Sequence, residues 1–450
     1  MKDIDRIELE LPLGNDFKSR ALRIISKTLC FLLAVPLFIN LKNFSFFIHN
    51  VKLNSYFQDG IDGIPFPFFG FMALLLLVLT AAFYLKNIIK TLEKMDYILL
   101  AFLFLFILAG LASSYKLTSL IQLLLLPILL WLTSFFRIDD RLKKYFIGGL
   151  LAFSFLHLLS FFILNDFSFT KMALRHAVYE VIFHYQIYQC LISYVNVLTL
   201  GGLFVIYRLF QQTELKKSIF LGFSFILLMY LASLSVQRLV ALDFIVITFV
   251  IFVLIISKKT KFYNKIISLS SLIISWLLSI FFVNSSSGSS MTSRLFQTIS
   301  RLNNLSMTGN LSNGTGNLSN GLERISNLRK VIEELSVIYN EKGIVGLFFG
   351  QGIVHSGAHN FIIDMLYGAG IIGALFFFAF LFTSFAKFVR PVFTKKTSYQ
   401  ALFIIGLFLM AGFGAMVNSP LTQPLYFLPL LFIAWSIVSD SKNMAVSLNS

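Results

Sequence analysis

An all-α membrane bundle is the fold this sequence predicts: a polytopic helical protein of about twelve transmembrane helices with one large loop on the outer side. Three observations carry that expectation. Hydrophobic residues fill 57% of the 450 positions and charged residues only 13%, with 53 Phe and a mean hydropathy of +0.82. A water-soluble domain carries about twice that share of charge. Apolar runs of spanning length recur along the chain, and the connections between them alternate between basic and charge-poor. A soluble enzyme and a disordered chain are both excluded.

The apolar runs fall at about 22–41, 65–85, 97–113, 118–136, 145–164, 189–207, 219–236, 239–257, 266–283, 361–386, 400–417 and 425–440. They approach the ~20 residues that carry a helix across a bilayer. They do not alternate as barrel strands do, and an unpaired strand would leave its backbone unsatisfied in lipid, so the runs are read as helices. Every second connection is basic: 86–96 with Lys86, Lys90 and Lys94; 137–144 with Arg137, Arg141, Lys143 and Lys144; and 208–218 with Arg208, Lys216 and Lys217. The same holds for 258–265 with Lys258, Lys259, Lys261 and Lys265, and for 387–399 with Lys387, Arg390, Lys395 and Lys396. Positive charge stays on the cytoplasmic side, which puts both termini there. The expected organisation is a cytoplasmic tail over 1–21, helices one to nine over 22–283, an outer loop over 284–358, helices ten to twelve over 359–440 and a tail over 441–450. The formal charge of +16, from 37 Lys and Arg against 21 Asp and Glu, is then largely topological and calls for no nucleic-acid partner.

Two further features bound the class. The polar first 20 residues precede a long apolar run without a small-residue cleavage site, so they read as a tail before a retained helix, not a cleaved signal. Cys30 and Cys190 both sit in apolar stretches, and no Cys-x-x-Cys pattern occurs, so neither a disulfide framework nor a zinc site is expected.

The connection at 284–358 departs from the rest by its length of about 75 residues. It opens with Asn284 and a Ser-rich run, then repeats Asn-Leu-Ser at 304–306, 310–312 and 317–319. These triplets, with Asn313-Gly-Thr315, match the N-glycosylation pattern formally, but a polar, low-complexity loop explains the composition without it. Leu322 to Tyr339 has Leu322, Ile325, Leu328, Ile332 and Leu335 at helical spacing and predicts an amphipathic helix on the membrane surface or over a cavity. An outer loop of this length is expected to have a task beyond connection.

Few charges lie near the outer face. Arg238, in Ser-Val-Gln-Arg-Leu-Val between two apolar runs, either snorkels to headgroups or serves a site inside the bundle. Arg175 and His176 lie in the outer segment 165–188 with Tyr179, His184, Tyr185 and Tyr188, rings that suit either a sugar site or an interfacial belt. The large loop adds Arg294, Arg301, Arg324 and Arg329. Arginine suits a pyrophosphate because its planar fork donates two parallel hydrogen bonds and stays charged. The densest pattern is Gly350-Gln-Gly-Ile-Val-His355-Ser-Gly-Ala-His359-Asn360, followed by an apolar run with Gly370 and Gly373. A histidine at a helix mouth can take a proton from a hydroxyl or simply cap the helix; the two glycines alone would read as helix packing.

Taken together, His359-Asn360, nine residues, Gly370, two residues and Gly373 resemble the signature of the O-antigen ligase and Wzy polymerase superfamily. Gly350-Gln-Gly352 is similar to that family's glycine pair, and Arg324 resembles the arginine ahead of it, with Glu323 where a small residue is usual. Arg238 is similar to the family's arginine at the outer end of a mid-chain helix. The likeness implies a GT-C-like bundle and a metal-independent, inverting-type glycosyltransferase, in which an acceptor hydroxyl attacks the anomeric carbon of an undecaprenyl-diphosphate-linked oligosaccharide. It implies His359, Arg324 and Arg238 as catalytic residues and Arg175, Asn360, Arg329, His355 and Tyr185 as substrate-binding ones. No cofactor and no metal are implied; Asp59 and Asp62 read as a turn. The expected partners are the lipid-linked oligosaccharide, membrane lipid, and a chain-length regulator and flippase of the same pathway.

The implied location is the bacterial inner membrane, with the site facing the periplasm. Polymerase is preferred to ligase because the expanded loop suits an enzyme matched to one glycan, although both share the His-Asn signature. The arginine-fifteen-residues-glycine spacing of some polymerases is absent. A protein O-oligosaccharyltransferase is disfavoured by the short tail after 440. A lipid-linked oligosaccharide flippase or other transporter is the reading from another class. It would depend on intramembrane charge such as Asp243 more than on His359, but the chain shows no internal repeat.

Overall fold

The computed structural model describes residues 7–9, 17–32, 34, 38–40, 65–66, 68–112, 128, 131–132, 135–138, 140–164, 178–181, 185–188, 191–233, 238–256, 261–281, 333, 336, 339–340, 343–351, 361–394, 398–417, 430, 432–434 and 436–437. Helix dominates these residues. In chain order the helices are α1 (Phe17–Leu32), α2 (Phe68–Phe83), α3 (Leu85–Thr91), α4 (Lys94–Ala112), α5 (Asp140–Leu164), α6 (Leu191–Gln211), α7 (Leu215–Ser233), α8 (Arg238–Ile256), α9 (Phe262–Phe281), α10 (343–349), α11 (Phe361–Thr394) and α12 (Ser398–Val417). Leu215–Ser233, Leu239–Ile256 and Phe262–Ile280 are long and apolar enough to cross a membrane, and Val197–Gln211, Met365–Phe380 and Gln400–Ala411 are shorter apolar helices. The protein is thus a helical membrane protein by length and composition of its helices.

Several helices are apolar on both faces. On α8, Phe244, Ile247 and Ile251 are buried while Phe249, Phe252 and Ile256 are exposed. A helix that is apolar all round is expected in lipid, where the outward face meets acyl chains. Inside, α6 packs on α7, α8 and α12, α7 packs on α9, and α1 packs on α2 and α5. Phe146 on α5 stacks on Phe432 at 4.1 Å and meets Phe204 on α6 edge-on at 5.5 Å, an aromatic joint typical of offset and T-shaped ring packing.

Small residues let α7 and α9 approach closely. A Cβ on Gly222 would come within 2.6 Å of Ile267 and 2.8 Å of Ser271. Ser275 and Ser279 satisfy their hydroxyls on the carbonyls one turn back. Beyond this seam, Ser218 Oγ donates to Asn264 Oδ1 at 2.7 Å, and Asn264 Nδ2 donates to Gln212 O at 2.9 Å. Lys261 Nζ reaches Thr213 O at 3.3 Å, and Lys265 Nζ caps α8 on Ile255 O at 2.7 Å, where a cation meets the negative helix end. The α6–α7 and α8–α9 connections therefore sit at one end of the bundle. Both are basic, and both are expected on the cytoplasmic side.

Short extended pieces occur in the connections. β1 (Ile7–Leu9) pairs in parallel with β4 (Phe136–Ile138), Ile7 facing Phe136. A second sheet has the order β3 (Pro65–Phe66), β2 (Phe38–Asn40), β6 (Tyr185–Tyr188), β5 (Val178–Val181), all antiparallel. Each sheet joins segments that the charge alternation assigns to one side: the tail and a basic connection in the first, three outer stretches in the second.

Three features differ from the sequence expectation. The first run, expected over 22–41, is helical only to Leu32. Pro36 accounts for this, because its ring clashes with the carbonyl four residues back and it has no N–H to donate. The connection at 86–96 contains α3. The tenth expected span is broken: α11 runs through 34 residues with non-helical backbone at Gly370.

Candidate functional site

The site is built around that break. A continuous 34-residue helix would be about 51 Å long at 1.5 Å per residue, far beyond a ~30 Å hydrocarbon core. Gly370 has φ 64° and ψ −167°, a region that in practice only glycine occupies. It separates a nine-residue piece over 361–369 from a longer piece over 371–394. The break is filled by the end of α10. Gly350 takes φ 67° as the left-handed residue that closes α10, with its N–H on Gly346 O at 2.8 Å. The next amide, Gln351 N, donates to Tyr367 O at 2.8 Å. The carbonyl released by the break thus finds a donor from outside the helix.

The two glycines touch backbone to backbone. A Cβ on Gly350 would lie 2.6 Å from Gly370 N and 2.7 Å from Tyr367 O. A Cβ on Gly370 would lie 2.5 Å from Phe348 C and 2.7 Å from Gly350 N. Neither position has room for a side chain. This contact pins both ends of the stretch 351–369, which contains His355, His359 and Asn360. Gly373 serves both the break and the packing: a Cβ there would clash with Ala369 Cβ across the kink and would also meet the Phe106 ring of α4 at 3.1 Å, and Phe106 stacks on Phe376 at 5.1 Å. Of the two α11 glycines in the motif, Gly370 makes the break, and Gly373 leaves room for Ala369 across it and for the Phe106 ring.

The remaining predicted residues are placed as follows. Arg175, Arg324, Arg329, His355, His359 and Asn360 lie outside the described residues, as do Asp59 and Asp62. Arg238 is the first residue of α8, and Tyr185 begins β6 opposite Val181; both are described in backbone only. Within the expected helix Leu322–Tyr339 and just beyond it, Glu333, Ser336, Tyr339 and Asn340 are helical and exposed, with 333, 336 and 340 on one polar face.

Two polar features inside the bundle carry no sequence motif. Asp96 is fully buried; its Oδ2 accepts Glu93 N at 2.9 Å, capping α4, and its Oδ1 accepts Trp131 Nε1 at 2.8 Å. Asp243 on α8 is 1% exposed, and neither carboxylate oxygen closes a hydrogen bond of ordinary geometry. Thr199 on α6 is the hydroxyl that faces it. Among the described residues no group of three or more His, Cys, Asp and Glu side chains is arranged to hold a metal ion.

Fold and site together define a helical membrane protein with a glycine-pinned, broken helix. No family model matches the chain, and no curated protein matches it.

Proposed function

We propose that this chain is an integral membrane glycosyltransferase that polymerises undecaprenyl-diphosphate-linked oligosaccharide units at the periplasmic face of the bacterial inner membrane. The observation that supports this reading most is the Gly350–Gly370 contact. It gives Gly350 and Gly370 one shared task, which is to bring Gln351 and Tyr367 together, the residues that bracket His355, His359 and Asn360 in the sequence. In the proposed reaction the His359 imidazole accepts the proton of an acceptor hydroxyl as its oxygen attacks the anomeric carbon. The bond from that carbon to the diphosphate oxygen breaks, and undecaprenyl diphosphate leaves with the bonding pair. Arg324 and Arg238 meet the charge that develops, and fixed cations in a poorly solvated site are effective at this. Arg175, Arg329, Asn360, His355 and Tyr185 orient sugar and diphosphate, and no step calls for a metal.

A ligase would perform the same chemistry with lipid A–core as acceptor. A second class of function is favoured by one observation, the buried carboxylate of Asp243 facing Thr199 inside the bundle, since an intramembrane acidic residue often marks a transport path. Chromosomal deletion in the native host separates the three. Core bearing a single repeat and no ladder supports the polymerase. Bare core with polymer retained on undecaprenyl diphosphate replaces it with the ligase, and unpolymerised lipid-linked repeats trapped on the cytoplasmic leaflet replace it with the flippase.

A further inference from the structure

The segment that fills the α11 break has a property the proposed reaction does not use. From Gly343 to Gly350 the sequence reads Gly-Ile-Val-Gly-Leu-Phe-Phe-Gly, without a charged or polar side chain. Its helix, α10, turns Gly346, Gly350 and the partly buried Phe349 towards the protein. Ile344 is 64% exposed, Val345 62%, Leu347 42% and Phe348 39%. Four large apolar side chains on one short helix form a patch that water alone would not favour.

The depth of α10 in the membrane follows from α11. Lys387 is the first basic residue of the connection expected on the cytoplasmic side. From there back to the break at Gly370 the helix rises about 24 Å, so the outer edge of a ~30 Å hydrocarbon core falls a few ångströms beyond the break, at the level of Tyr367. Tyr367 is the residue whose carbonyl binds Gln351 N, and it is flanked by the charged Asp364 outward and by Gly370 inward. A tyrosine at the hydrocarbon boundary, with a charge one turn above it, is the usual pattern at an interface. The α10 helix is thus fastened at the level where acyl chains give way to headgroups.

We infer that α10 is an interfacial membrane anchor, with Ile344, Val345, Leu347 and Phe348 seated in the acyl–headgroup boundary of the outer phospholipid leaflet. Its seat ties the end of the large outer loop to the bilayer independently of any glycan. The inference rests on the membrane reading of α11 and not on the glycosyltransferase reading. An amphipathic helix in this position binds by the apolar area it removes from water, and it does so in the membrane plane.

Site-directed spin labelling of the full chain in phosphatidylethanolamine–phosphatidylglycerol vesicles tests this. Cys30 and Cys190 are replaced by Ala, and single cysteines are introduced as Ile344→Cys, Val345→Cys and, for reference, Glu333→Cys, which is exposed. The nitroxides at 344 and 345 are expected to collide several-fold more with oxygen than with a water-soluble nickel chelate, and the order should reverse at 333. Collision with the nickel chelate at 344 and 345 equal to that at 333 would place α10 in water and overturn the inference. Low collision with both reagents would overturn it too, because another part of the protein or a bound isoprenoid would then cover the patch. Vesicle flotation of each variant, with its melting temperature unchanged, confirms that the labelled chain is folded and inserted.

Discussion

Replacing Gly370 by alanine separates the clamp from the rest of the fold. The native conformation, φ 64° and ψ −167°, costs a residue with a Cβ roughly 1–3 kcal/mol. The added atom would also lie 2.5 Å from Phe348 C and 2.7 Å from Gly350 N, both backbone atoms that cannot rotate away. Overpacking of this kind costs about 1–3 kcal/mol more. The two terms sum to roughly 2–6 kcal/mol against the docked arrangement, and at about 1.4 kcal/mol per factor of ten this reduces its population by about 30-fold or more. Alanine also favours an unbroken helix by about 1 kcal/mol over glycine, which pushes in the same direction. The bundle itself should persist, because the α6–α9 core lies elsewhere. Hydrogen exchange of the full chain in nanodiscs is expected to show the 343–351 peptide exchanging at least about tenfold faster, as the Gln351 amide loses Tyr367 O. Gly343→Ala is the matched control: Gly343 has φ 59° but nothing within 4 Å of a Cβ, so only left-handed strain of about 1–2 kcal/mol applies. Unchanged exchange in Gly370→Ala would refute the clamp. Faster exchange with a normal glycan ladder would refute its link to function.

Other expectations concern the reacting groups and the core. His359→Ala, Arg324→Ala and Arg238→Ala should each remove polymer from gels of a complemented deletion strain while leaving membrane insertion intact; near-normal chain length in any of them removes that residue from the site. Asp243→Asn should leave the ladder in place, since the proposed chemistry does not use this carboxylate, and its loss would shift the balance to transport. Trp131→Phe withdraws the indole donor from the buried Asp96 carboxylate and should destabilise the detergent-solubilised chain by about 1–3 kcal/mol, read as a lower melting temperature. Deleting part of 303–320 should be tolerated in both expression and ladder, because its composition argues against packing; loss of folded protein would contradict this.

The helical membrane class and three of its apolar helices were legible as apolar runs. The runs at 219–236, 239–257 and 266–283 correspond to α7, α8 and α9 within a few residues, because each is long, apolar and bounded by polar or charged residues. The end of α1 was legible only through Pro36, and a long apolar run hides it. Gly370 was visible as part of a spacing, but a glycine inside an apolar helix reads equally as packing or as a break. Its partner, Gly350, lies twenty positions away, and only tertiary contact distinguishes it from Gly373. The Asp96–Trp131 bond spans 35 positions and has no periodic or motif signature. The short strand pairs were missed for a related reason. Segments of two to four residues are too brief to show alternation, and their pairing is decided by which helix ends the bundle brings together.

The central claim is that this chain makes glycosidic bonds from a lipid diphosphate donor. Its most direct test is reconstitution of the purified full chain in vesicles with lipid-linked repeat units extracted from the host, followed by separation of lipid-linked products. The account predicts a ladder of longer glycans on lipid, free undecaprenyl diphosphate in proportion to bonds formed, and no effect of a metal chelator. Repeat units that change leaflet without growing in length would contradict it.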